Sequence, residues 1–162
     1  FYRERYGASV LAIEGQPYVR GLGGKKSPPP FMEPDVVLTE ASELPIADAS
    51  LKVFPSSTPG EAICRLDREG GILITGDSLQ NTPAPDEFYN LPAKVMMKKF
   101  GFLKPHAVGA GWLEFASPSA SEVRSILDLE FDHVLPGHGA AVLGGAKEKY
   151  RPALEGELKG CH

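Results

Sequence analysis

Two short apolar runs, each stopped by glycine and followed by a candidate metal ligand, constrain this chain more than any other feature. The first is Ile72-Leu73-Ile74-Thr75-Gly76-Asp77 and the second is His133-Val134-Leu135-Pro136-Gly137-His138-Gly139. Runs of that length and composition predict buried strands. Loops that leave strand ends are where a rigid scaffold mounts its chemistry. The pattern therefore predicts Asp77 and His138 at the ends of two strands, on one edge of a sheet.

The rest of the chain supplies a frame for that sheet. Its 162 residues suit a single domain spanning 1–162, with a sizeable core. An apolar content of 42% and a charged content of 23% fit a soluble globular protein. No apolar run approaches the roughly 20 residues of a membrane span, and the start is not a signal peptide. Phe1 to Gly7 reads as the last turns of a helix closed by glycine, so a further N-terminal portion is expected upstream. The net charge of −4 argues against nucleic acid or an anionic membrane as the main partner. Two cysteines, Cys64 in a predicted strand and Cys161 near the end, do not make a disulfide framework. That fits a reducing cytoplasm or organelle interior.

Along the chain, Ser9 to Ile13, Val36 to Leu38 and Leu51 to Phe54 predict short strands. Residues 15–34, rich in glycine and proline, predict a mobile loop. Glu61 to Asp67 alternates, Arg68-Glu69-Gly70-Gly71 is a turn, and Ile72 to Thr75 completes a hairpin that runs into Asp77. The second half is more helical. Ala93 to Phe100 has helical apolar spacing, and Ser119-Ala120-Ser121-Glu122 has the form of a capping box. Asp132 to Leu135 predicts a strand, and Ala146 to Leu158 a helix that Pro152 should kink. Strands early and helices late give an α/β or α+β class, a sheet with helices against it.

Taken singly, the candidate residues have ordinary explanations. A carboxylate after a glycine commonly caps a turn. His138 between Gly137 and Gly139 is uncrowded, yet a loop histidine needs no function. Together they can hold a metal and activate a water, but a catalytic zinc needs about three protein ligands. Trp112, between Gly111 and Leu113, fits either a pocket wall or a core plug. His106 lies in a loop after Pro105, and His133 alternates away from Val134 onto a strand face.

In this order, the Thr58-Pro59-Gly60 turn, the hairpin ending Ile74-Thr75-Gly76-Asp77, and Val134-Leu135-Pro136-Gly137-His138-Gly139 followed by a helix resemble the metallo-β-lactamase superfamily. Arg5-Tyr6-Gly7-Ala8-Ser9-Val10 is similar to the segment that follows the family's first metal motif. The resemblance covers Phe1 to about Glu155. It implies an αββα sandwich with zinc at one edge of its sheets and metal-dependent hydrolysis of esters, thioesters or related bonds in a small-molecule substrate. It also implies that Asp77 is a bridging ligand, that His138 is a ligand of the second metal, and that His106 lies near the pocket wall.

The departures matter as much. The family's H-x-H-x-D-H motif does not occur in these 162 residues, and its place would lie before Phe1. The family's next histidine precedes Thr-Pro-Gly, where this chain has Ser57. A neutral serine is a poor substitute for imidazole, so zinc is expected to bind weakly or not at all. The expectation is a hydrolase-like domain with an impaired, degenerate metal site.

Two alternatives stand beside it. The first is a non-catalytic binding or scaffold domain of the same fold. The second follows from Gly76-Asp77-Ser78-Leu79, which spells the nucleophile motif of the GDSL esterases, with Ser78 as nucleophile. A homodimer that covers apolar sheet surface is a further expectation.

Overall fold

The computed structural model describes residues 1–15, 33–85, 87–158 and 161. Most of the predicted mobile loop at 15–34 therefore lies outside the described residues. The chain opens with a helical turn, α1 (Tyr2–Tyr6), closed by Gly7 in the left-handed region at φ 63°, as its sequence predicts. Two three-residue strands, β1 (Leu11–Ile13) and β2 (Val36–Leu38), pair in parallel as a small separate sheet.

The main sheet has five strands. β3 (Ala49–Phe54) pairs antiparallel with β4 (Glu61–Leu66), which pairs antiparallel with β5 (Ile72–Asn81). The far half of β5 pairs antiparallel with β6 (Ala107–Val108). Along its other edge β5 pairs in parallel with β7 (His133–Gly139). Alternation decides which face is buried. Ile63, Leu73 and Val134 are each fully buried, whereas Ile74 and Leu135 on the opposite face are 41% and 38% exposed.

The second half of the chain supplies the helices, the last two of which cover the buried face. α2 (Leu91–Lys99) is capped by Asn90, whose side chain accepts from the Ala93 amide. A π-helical turn at Trp112–Ala116 follows β6. Next come α3 (Ala120–Arg124), a 3₁₀ turn at Ser125–Asp128, and α4 (Ala146–Glu155). Val123, Ile126, Tyr150 and Leu154 are fully buried against Phe54, Ile63, Leu73 and Val134 in one core. At about 25 cal/mol per Å² of apolar surface, burying such side chains is the main force holding helices to sheet. α4 continues through Pro152 to Glu155.

The capping box at Ser119 is half formed. Its hydroxyl accepts from the Glu122 amide. The Glu122 carboxylate does not turn back to the Ser119 amide; it binds the Ser56 amide and hydroxyl, and Ser56 in turn accepts from the Ser119 amide. The start of α3 is thus tied to the end of β3.

The molecule is mixed α/β, built on one mixed sheet with helices on one face. Among the described residues no helix is long and apolar enough to cross a membrane.

Candidate functional site

The largest departure from the sequence reading lies in β5, which does not stop at Gly76. It resumes pairing at Gln80 and Asn81, opposite His138 and Gly139. Between Thr75↔Pro136 and Gln80↔His138, residues 76–79 of β5 face Gly137 alone. Asp77 is therefore carried by a bulge within the strand, and His138 sits inside β7 rather than in a loop beyond it. Bulges re-aim side chains out of a ladder.

Close backbone packing explains the glycines here. A Cβ on Gly137 would lie 2.7 Å from the Gly76 carbonyl oxygen, and one on Gly109 would overlap the Asp77 carbonyl oxygen. The Gly109 amide donates to the Ser78 carbonyl at 3.0 Å, which fixes the bulge from the side of β6.

This geometry brings together the two residues singled out by sequence, 61 positions apart. Asp77 Oδ1 and His138 Nε2 are 2.9 Å from each other, with side chains 65% and 69% exposed. A pair this open to water contributes about 1 kcal/mol or less to stability. Both residues stand at the wall of a cavity of about 560 Å³, within the range of small-molecule sites. Trp112, Met97, Phe102 and Tyr89 supply its apolar wall, and Gln80 and Asn81 its polar floor.

Ser57 is not part of that wall. Its hydroxyl is buried, donates to the Pro59 carbonyl at 2.7 Å and accepts from Trp112 Nε1 at 2.8 Å. Trp112 in turn packs edge-on against Phe54 with centroids 5.0 Å apart. Trp112 therefore both plugs the core and lines the cavity. His106 does not line it. Its ring stands edge-on to Tyr150 at 5.7 Å, and its amide donates to Asn81 Oδ1. His133 is held structurally, its Nδ1 accepting from the Gly144 amide. Ser78 is fully buried, and its hydroxyl faces the buried Glu61 carboxylate rather than the cavity. A nucleophilic serine needs access to substrate, and fully buried Ser78 has none.

Three residues that the sequence reading did not select also shape the site. Glu61, at the start of β4, packs its carboxylate beneath Gly76, where a Cβ would lie 2.9 Å from Oε1. Burial raises its pKa above the usual carboxylate range; the Ser78 hydroxyl and the amides of Asp77 and Ser78 oppose that shift without cancelling it. Asn81 clamps three segments, donating to the Ala140 carbonyl at 2.9 Å and accepting from His106. Gln80 donates to the carbonyls of Gly101 and Phe102. For Glu61 the available signal is a carboxylate at the start of a predicted strand; Gln80 and Asn81 lie past the predicted end of theirs and carry no such signal.

The fit to zinc can be tested on the pair itself. Zn–N and Zn–O bonds of about 2.0–2.2 Å in tetrahedral geometry set two donors about 3.3 Å apart. A 2.9 Å separation is a small rotation from that. The number of donors is the obstacle. Among the described residues no group of three or more His, Cys, Asp or Glu side chains can hold a metal ion. Two donors do not fit a tight zinc site. Neither a scan of protein-family models nor a search of curated proteins returned a match to this chain.

Proposed function

We propose that this chain is a metallo-β-lactamase-like, hydrolase-type domain whose metal-dependent hydrolysis of esters, thioesters or related bonds is impaired. The observation that carries the reading is the Asp77–His138 pair, 2.9 Å apart at the wall of a cavity of small-molecule size. Two further features support it. The sheet has helices on one face and half-exposed Ile74 and Leu135 on the other, the arrangement expected of one half of an αββα sandwich. Ser57 stands in the Thr-Pro-Gly turn with its hydroxyl engaged by Trp112 and Pro59, away from the pair. Impairment follows from donor count: each missing ligand removes binding free energy that a metal site needs.

A second reading, a non-catalytic domain that binds a small molecule, is favoured by the same engagement of Ser57. The cavity persists where the third donor does not.

The test is metal analysis of the purified chain together with a panel of activated esters and thioesters, assayed with and without a chelator. The expected result is less than stoichiometric zinc and no chelator-sensitive turnover. Stoichiometric zinc with turnover that chelator abolishes would overturn the impaired reading and leave an active hydrolase. Turnover that resists chelator but is lost in Ser78→Ala would establish the serine esterase instead.

A further inference from the structure

The overall charge of the chain conceals a sharp segregation. From Phe88 to Leu113 the sequence has four lysines (Lys94, Lys98, Lys99 and Lys104) and no acidic residue. The remainder therefore has 13 basic residues (17 less 4) against all 21 acidic ones, a formal charge of −8. None of the four lysines forms an ion pair among the described residues.

The same stretch has the barest apolar surface in the second half of the chain. α2 buries none of its residues. Its inward side, Ala93, Lys94 and Met97, is half-buried, and Met97 forms part of the cavity wall. Its outward side presents Leu91, Val95, Met96 and Phe100, exposed by 75%, 60%, 51% and 59%. These side chains border a shallow apolar groove with Lys99 among them. A helix with an uncovered apolar stripe and unpaired lysines beside it is built to lie in an interface between apolar and anionic material.

We propose that α2 seats the chain on an anionic lipid surface, with the apolar stripe inserted at the headgroup boundary and Lys98 and Lys99 over the headgroup charges. Charge complementarity favours this occupant over a second copy of the chain. A two-fold dimer through α2 sets the patch against itself, lysine facing lysine. Seated this way, Met97 remains on the inner side of the same helix, so the cavity opens beside the lipid surface. The inference goes beyond the hydrolase-like reading and does not depend on it, because lipid binding is measured without metal or turnover.

The experiment is cosedimentation of the chain with vesicles of phosphatidylcholine alone and of phosphatidylcholine mixed with phosphatidylserine, at low and high salt. Binding is expected only to the mixed vesicles, weakening as salt rises. Lys98→Gln and Lys99→Gln are each expected to weaken it about fivefold, from about 1 kcal/mol per lysine near an anionic surface. Met96→Ser with Phe100→Ser is expected to abolish sedimentation. All four residues are exposed, and an unchanged melting temperature confirms that the variants fold. Absence of binding to mixed vesicles, or binding that neither pair of substitutions weakens, overturns the proposal. So does a dimer in sedimentation velocity that Met96→Ser with Phe100→Ser dissociates while vesicles are not bound. Binding to soluble polyglutamate without binding to vesicles overturns it in favour of an acidic protein partner.

Discussion

The two halves of β5 follow different rules. From Ile72 to Thr75 the strand is regular, held between β4 and β7, with fully buried Leu73 pointing into the core. From Gly76 to Asn81 it bulges, packs glycine against backbone, and displays Asp77 to water. The first half is specified by apolar alternation and gains its stability from burial. The second half also buries Leu79 in the core, but it exposes Asp77, buries polar Ser78, Gln80 and Asn81, and is specified by what its neighbours leave room for. One strand thus supplies both the centre of the core and the wall of the candidate site.

Substitutions should separate the halves by size of effect. Leu73→Ala removes a fully buried side chain from the regular half and is expected to cost about 2–5 kcal/mol, read as a lower denaturation midpoint. Gly109→Ala attacks the bulge, because the new Cβ overlaps the Asp77 carbonyl oxygen. It is expected to cost about 1–3 kcal/mol and to displace Asp77 from His138, visible as a changed His138 ring resonance. A wild-type midpoint in Gly109→Ala would show that the bulge is not held as described.

Trp112→Phe keeps most of the cavity wall and removes the hydrogen bond to Ser57. The expected loss is about 1–3 kcal/mol, because the buried Ser57 hydroxyl loses a partner. Glu61→Gln probes the bulge through pH. The folded state holds the Glu61 proton more tightly than the unfolded chain does, since its pKa is raised by burial. The stability from this group is therefore full below the unfolded value and is lost as pH rises through the raised folded value. Glu61→Gln should flatten that part of the curve of melting temperature against pH, and an unchanged slope would contradict the assignment. The smallest effect is expected for His138→Ala, within about 1 kcal/mol of wild type, because its side-chain partner among the described residues is the similarly exposed Asp77.

The same contrast explains what the sequence made legible. Strands β2, β3 and β4, the hairpin into Ile72, and the cap of α1 are encoded by local alternation and turn residues. So is the proximity of Asp77 and His138, because both apolar runs point to neighbouring strands of one sheet. The continuation of β5 through Gly76, Asp77, Ser78, Gln80 and Asn81 was not legible. None of these is a strand-forming residue, and the conformation is imposed by β6 and β7, which lie far along the chain. Ser57 illustrates the same point. Its residue type announced a poor ligand, but its engagement with Trp112 depends on a π-helical turn 55 residues away. The placement of Glu61 under Gly76 likewise exists only once the hairpin has closed.

We propose that Asp77 and His138 are what remains of a metal site too poor in donors to hold zinc tightly. Competition of the purified chain with a chromophoric zinc chelator tests it most directly, in wild type, Asp77→Ala and His138→Ala. The account predicts that wild type binds zinc far more weakly than the chelator, and that either substitution removes what binding remains. Wild-type binding tight enough to strip zinc from the chelator, one ion per chain, would contradict it.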